Sequence, residues 1–461
     1  MLGTTVLGAL IVAFVYTIGT GDLRLTLLVA GVAIAPALFF LALKRSYLFP
    51  YGLYVALVPF DNMLKISGSG TLTKMLGIAS TFFIIVYAIR RKGLNKPPVT
   101  LYLALSYLAW TMISAMWTPE AAEAMIDVQQ TISLVLMYAV LVCAPVEERD
   151  VRAICACLVF GGIAASFYGM YLLHESPILQ TAGGEHGRLM INVANRTIDP
   201  NHFANSLLPP LALALVGLLG SRRPARALFA LFCVVVLTTG IVMSLSREAL
   251  LAAVLIVGVI VWFSPRRTLG FGIGIPLVAG IPLVFPAIGA RMVEAFSSGG
   301  AGRTSIWHVG LLAWKSHPLF GWGAGGALDA YDRNYLAVYQ FYNAGWTRPP
   351  HNTPLHAMIE LGLVGLIIMS LAYLATFRQF RGIARGDRLY DLRVAFTASL
   401  IALGFVSLFI DLANYKYLWI VLATVAQLSS VARARRLAAR PVYEPPPRTA
   451  AAVPRAVPVS S

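Results

Sequence analysis

From Arg348 to Phe377 the chain reads RPPHNTPLHAMIELGLVGLIIMSLAYLATF, and the change of character inside this stretch decides the fold. Its first residues are polar and rich in proline. Thr353 is a good N-cap and Pro354 suits the first helical position, so the pattern predicts a helix start here. The apolar run that follows, residues 355–377, is long enough to cross about 30 Å of hydrocarbon as a helix. Lipid offers no partner to free backbone N–H and C=O groups, so such a crossing segment has to be helical.

Similar runs recur near residues 3–19, 24–43, 46–60, 74–90, 99–117, 127–145, 151–173, 202–220, 226–243, 248–263, 269–288, 394–411 and 416–432. The third holds Pro50 and Pro59, which marks it as broken or re-entrant and sets the expected count at about 12–14 spans. Only 12% of residues are charged and 58% are hydrophobic, against about 25% charged in an average soluble domain. The expected fold class is therefore an all-α polytopic membrane protein, with one large extracytoplasmic loop carrying short helices.

A net charge of +16 would point to nucleic acid in a soluble protein. Placement explains it here, because 24 of the 36 Lys and Arg residues fall on the turns of one side, from Lys44 and Arg45 to the six after Val431. The positive-inside rule makes that side cytoplasmic and puts both termini on it; no nucleic-acid partner is needed. Leu2–Ile18 lacks the basic leader of a signal peptide and reads as a retained first span. Cys143, Cys155, Cys157 and Cys233 lie in or beside apolar spans, where packing is expected rather than a disulfide framework or metal site. The sequence shows no internal repeat of the kind that marks many transporters.

This topology places two hydrophilic interruptions outside, residues 174–200 and 289–353. In the second, a glycine-rich lead-in from Ser297 to Gly302 precedes an expected helix from Thr304 to Lys315 and the punctuated run from His317 to Gly323. His351 falls beside the N-terminus of the next span, where unpaired N–H groups favour anions. There it either accepts a proton from a hydroxyl nucleophile or anchors the loop at the interface. Asp199 as N-cap and Pro200 at the first helical position start another span at the same face, with Arg196 just outside it and Asn201 just inside. Ser244-Leu245-Ser246-Arg247-Glu248 forms an outer turn, where an arginine so near hydrocarbon is paired with Glu248, snorkels or is functional. Arg303 belongs to a loop with five basic residues, Arg348 among them, against three acidic ones. That outward excess runs against the general bias and suits phosphate or pyrophosphate, which guanidinium forks match. Trp307, Trp314, Trp322 and Trp346 read as interfacial anchors before sugar platforms. HExxH, zinc-type Cys/His spacing, GxSxG and a Walker loop are all lacking, so neither a metal nor a cofactor is expected.

Taken in order, Asp199-Pro200-Asn201, Ser246-Arg247, Arg303 with Trp307, His317-Pro318-Leu319-Phe320-Gly321-Trp322-Gly323, and His351-Asn352 followed by Glu360-Leu361-Gly362 resemble the O-antigen ligase and Wzy-type polymerase superfamily. The resemblance covers roughly residues 190–375. It implies a GT-C-like, metal-independent, inverting glycosyltransferase of the bacterial inner membrane, with its active site periplasmic. The implied donor is a polyprenyl-pyrophosphate-linked glycan and the acceptor lipid A-core or a growing glycan. By similarity His351 activates the acceptor hydroxyl, Arg196, Arg247 and Arg303 hold the pyrophosphate, and Asp199, Asn201, Arg348 and Asn352 support the site. The chain then divides into N-terminal transmembrane helices (1–190), a catalytic region (191–377), C-terminal transmembrane helices (378–432) and a disordered cytoplasmic tail (433–461). The competing readings are a polymerase, a polysaccharide flippase, which should carry ionisable residues at mid-membrane depth, and a non-catalytic assembly subunit. Against the flippase, the ionisable residues are expected to cluster at the outer surface.

Overall fold

The computed structural model describes residues 47–63, 65–66, 70–91, 93–175, 192–193, 196–197, 199–264, 268, 271, 303–339 and 348–438. The expected spans at 3–19, 24–43 and 269–288, Trp346, the glycine-rich lead-in and the tail after Ala438 lie outside the described residues. Helices dominate: α1 (Tyr51–Leu57), α2 (Leu72–Arg90), α3 (Val99–Ser114), α4 (Ala121–Cys143), α5 (Glu148–Glu175), α6 (Pro200–Ser206), α7 (Leu208–Gly220), α8 (Pro224–Met243), α9 (Arg247–Phe263), α10 (Arg303–Ser316), α11 (Ala327–Asn334), α12 (Thr353–Arg378), α13 (Tyr390–Val406) and α14 (Lys416–Ala438). The extended structure described is two antiparallel ladders of two-residue strands, Lys65–Ile66 with Gly70–Thr71 and Asn192–Val193 with Arg196–Thr197.

Seven helical segments among the described residues are long and apolar enough to cross a membrane, with α6 and α7 counting as one. Their outer faces confirm the solvent they are built for. On α2 the spaced residues Phe82, Ile85 and Ile89 are 59%, 43% and 70% exposed, whereas a helix of a water-soluble protein turns such a stripe inward. The chain is an all-α polytopic membrane protein.

The run at 46–60 is broken, as its two prolines suggest. Tyr51–Leu57 makes a two-turn helix and Val58–Met63 continues as a 3-10 helix, too short to cross. Tyr47, Tyr51 and Tyr54 of this segment are buried in the main core, and Gly161 of α5 closes directly on it: a Cβ there would lie 2.3 Å from the Ala56 carbonyl oxygen. The segment at 99–117 is a 16-residue helix, and the one at 394–411 runs instead from Tyr390 to Val406. At the far end α14 continues past the expected limit at 432 to Ala438.

A small lobe sits on the start of α12. The expected helix 304–315 is α10, from Arg303 to Ser316, and it packs with α11 around Ala313, Ala327 and Ala330 against Leu355 and Ile359 of α12. Three tryptophans of this lobe act as staples: the indole N–H groups of Trp307, Trp314 and Trp322 donate to the carbonyls of Pro350, Pro318 and Ala313.

Candidate active site at one end of the bundle

The helix start at α12 differs by one residue from the sequence expectation. Asn352, not Thr353, is the N-cap: its Oδ1 accepts from Leu355 N at 2.8 Å, and its Nδ2 donates to Leu408 O at 2.9 Å. An asparagine side chain does both at once, and this frees the Thr353 hydroxyl. Thr353 Oγ1 donates to Ile410 O and accepts from Leu412 N, both at 2.9 Å, tying α12 to the turn after α13. His351, just ahead of the cap, has φ +48°, a left-handed conformation that a bulky side chain adopts only when its neighbours hold it. Trp307 grips Pro350 on one side and Asn352 grips Leu408 on the other.

Asp199 caps α6 as expected, its side chain accepting from Asn201 N at 2.7 Å, with Pro200 in the first turn. α6 packs against α9, so Asn201 and Arg247 start neighbouring helices. Glu248 follows Arg247 in the first turn of α9. It is buried, and its Oε1 faces Arg303 Nη2 at 3.8 Å, which joins the start of α9 to the start of α10. His351 lies within electrostatic reach of Arg303, Arg348, Asp199 and Asp411. Burial first, then Arg303 and Arg348, pull its pKa below the ordinary imidazole value, against the opposing pull of Asp199 and Asp411. A neutral imidazole at neutral pH is the form that takes up a proton. Arg348 is exposed beside it. Arg196 pairs with Val193 in the second ladder, which lies against the 3-10 helix; its side chain is outside the described residues.

The two glycine-bearing motifs meet each other. α12 breaks at Gly362, with φ +65° and ψ −165°, and the run from Pro318 to Gly323 docks into the break. Trp322 N and Gly323 N donate to the carbonyls of Ile359 and Glu360, while Leu363 N donates to Pro318 O. The indole N–H groups of Trp110 and Trp117 satisfy Leu361 O and Gly321 O. Only glycine permits this approach, since a Cβ on Gly362 would lie 2.1 Å from Leu319 O and one on Gly321 2.3 Å from Glu360 O. A broken helix in a spanning segment is tolerated where protein groups take the freed backbone partners, as they do here for the carbonyls of Ile359, Glu360 and Leu361 and the amide of Leu363.

Sequence reasoning missed a second charged cluster behind His351. His356 Nδ1 meets Asp411 Oδ2, and its Nε2 lies 3.0 Å from Glu360 Oε1. Glu360 Oε1 also accepts from Ala327 N at 3.3 Å, and Asn414 Nδ2 donates to Asp127 Oδ1 at 3.4 Å. Burial would raise the Asp411 carboxyl, but His356 outweighs it and holds the group below the usual carboxylate range. His356 and Glu360 lie within two turns of the start of α12, at the same end as His351. From the start of α12, His356 sits about 5 Å and Glu360 about 10 Å along the helix, inside a segment long enough to span. The signal was present as a His and Glu four residues apart, hence on one helix face, within an apolar run. Beside the cluster the His202 ring stacks on Tyr415 at 3.6 Å, and Lys416 Nζ pairs with Asp61 at 2.5 Å. Among the described residues no group of three or more His, Cys, Asp or Glu is arranged to hold a metal ion.

Fold and site together define a multi-pass membrane protein with a charged, half-buried site at one end of its helices. Residues 232–370 match the family model described as O-antigen ligase, in line with the resemblance to the O-antigen ligase and Wzy-type superfamily. The match takes in Arg247, Arg303, His351 and the Gly321–Gly362 junction. A comparison with curated proteins finds no match.

Proposed function

We propose that the protein is a glycosyltransferase of the O-antigen ligase type, which moves a glycan from a polyprenyl-pyrophosphate carrier to an acceptor hydroxyl at the periplasmic face of the inner membrane, without a metal ion. The observation that carries this reading is the meeting of His351, with its depressed pKa, and Arg303 at the helix starts. In the reaction the acceptor oxygen attacks the anomeric carbon from the side opposite the pyrophosphate. The new glycosidic C–O bond forms as the bond to the pyrophosphate oxygen breaks, and configuration inverts. His351 takes the hydroxyl proton, and the leaving pyrophosphate departs with the bonding electrons. Arg303 and Arg247, with Arg196 and Arg348 nearby in the chain, supply the positive charge that this developing anion needs near a low-dielectric boundary. Asp199, Asn201 and Asn352 hold the helix starts that present these groups.

An apolar cavity of about 380 Å³ adds support on the lipid side. It is lined by Thr353 and Pro354 next to His351, and by Tyr107, Tyr373, Leu403 and Trp419. An isoprenoid chain leaving the pyrophosphate would find hydrocarbon-like walls there.

The test is transfer by purified protein from a polyprenyl-pyrophosphate glycan, with lipid A-core offered as acceptor. Wild-type protein should glycosylate lipid A-core, and His351→Ala should lose about 10²–10⁴-fold of the rate while inserting normally. Chain extension without transfer to lipid A-core would make the protein a polymerase. No reaction with any acceptor would remove the transferase reading.

A further inference from the structure

We infer that His356 is a positioning residue, an imidazolium clasped between Asp411 and Glu360 that sets the place of His351 relative to Arg303. The kinetic consequence rests on the transferase reading; the geometric one does not.

The charge state follows from the partners. Both ring nitrogens of His356 face carboxylate oxygens, Asp411 Oδ2 on Nδ1 and Glu360 Oε1 on Nε2. Carboxylates only accept, so the ring has to donate twice, which only the cation does. The three side chains are 12–23% exposed, and at such burial a lost partner leaves uncompensated charge. Asp127 of α4 and Tyr107 of α3 face the same cluster, and the His202 and His351 imidazoles lie within electrostatic reach of Asp411.

The clasp joins the pieces that hold His351. The residues flanking His351 are gripped by Trp307 of α10 and by the 407–412 turn, the latter through Asn352 and Thr353. Asp411 belongs to that turn, and Glu360 accepts from Ala327 N at the start of α11, in the lobe whose first helix begins with Arg303. Among the described residues, His356, one turn into α12, is thus the side chain bonded to both Asp411 and Glu360. Since His351 is held in a conformation it would not choose alone, its place depends on those two grips keeping their spacing.

The experiment uses full-length protein in lipid nanodiscs, with His356→Gln and the pair His356→Gln/Asp411→Asn, which removes both charges together and keeps hydrogen-bonding groups in place. Each is measured by transfer kinetics and by magnetic resonance of ring-labelled histidine; the chain has seven histidines, and the His351 signal is assigned by its loss in His351→Ala. His356→Gln should lower kcat about 10–100-fold, the cost of misplacing a reacting group, with KM for the donor within about threefold. The His351 signal should shift, and the double variant should recover part of kcat and move the signal back. A His351 signal unmoved in both variants overturns the inference, whatever the kinetics. If His356→Gln does not fold, Glu360→Gln takes its place, loosening the clasp at the other ring nitrogen: a displaced His351 signal supports positioning, and an unmoved one overturns it. Failure of wild-type protein to transfer glycan removes the transferase reading and leaves the resonance result to decide positioning.

Discussion

The two ends of the helix bundle treat charge in opposite ways. At one end Arg91 pairs with Glu147 at 2.6 Å, Arg152 with Glu148 at 2.8 Å and with Asp391 at 3.1 Å, and Arg435 with Glu148. Most of these groups are open to water: Arg91, Glu147 and Asp391 are 41%, 44% and 44% exposed, and Glu148 alone among those named falls to 21%. At the other end Arg303 and Glu248 are 21% and 6% exposed, and His351 is half-buried among two arginines and two aspartates. Water and salt screen the first set, so its pairs matter for which way the chain inserts rather than for how tightly it folds. The second set interacts through less water, and each charge there alters the chemistry of its neighbours. Charge number alone does not separate the ends; burial does.

Arg303→Gln is the change expected to sharpen that contrast most. Removing a preorganised cation from a developing anion costs about 10²–10³-fold in kcat by analogy with lost oxyanion donors. It also changes the pH profile. His351 has to be neutral to act, so activity falls as pH drops through its pKa. Arg303 is among the causes that lower that pKa and Asp199 opposes it. The acid limb should therefore move to higher pH in Arg303→Gln and to lower pH in Asp199→Asn. Profiles of kcat/KM for both variants check this, and movement in the opposite sense would show that His351 is not the titrating base.

How much of this was legible in the sequence follows the same division. The membrane architecture was readable because hydropathy repeats over whole helices. The helix starts at Asp199 and near Thr353 were readable because capping is local chemistry. His356 was overlooked because it lies inside an apolar run, where the run's length overshadowed one polar residue. The break at Gly362 was invisible for a different reason. A glycine does not interrupt a hydrophobic pattern, and only the docked Pro318–Gly323 backbone, distant in sequence, shows that the helix opens there. The approach of Glu248 to Arg303 is likewise a contact across the fold, beyond the reach of spacing along the chain.

That junction yields the next effect in size, now in stability. Gly362→Ala places a Cβ against Leu319 O at φ +65°, a region that side chains avoid at a cost of about 1–3 kcal/mol before the clash is counted. The total should be about 2–4 kcal/mol, seen as a lowered midpoint of thermal unfolding in detergent. Transfer should fall as well, because Glu360 lies two residues away and carries the contact to Ala327. Wild-type stability in Gly362→Ala would mean that the helix closes over the break without harm, and the site end would then be less tightly built than the comparison holds.

The smallest effect is expected at the basic end. Arg91→Gln removes the ion pair with Glu147 and the guanidinium lying 5.5 Å over the Tyr87 ring. Both partners keep other contacts: Glu147 stays beside Arg149, and the Tyr87 hydroxyl donates to Pro145 O and Asp150. An exposed pair of this kind contributes less than about 1 kcal/mol, and Arg90 and Lys92, its neighbours in the sequence, keep the local positive charge. Thermal unfolding should shift by no more than that, insertion should be unaltered, and transfer should stay within about twofold of wild type. A loss comparable to that of Arg303→Gln would mean that the basic end is coupled to the site through α2 and α4, and burial would no longer be what separates the two ends.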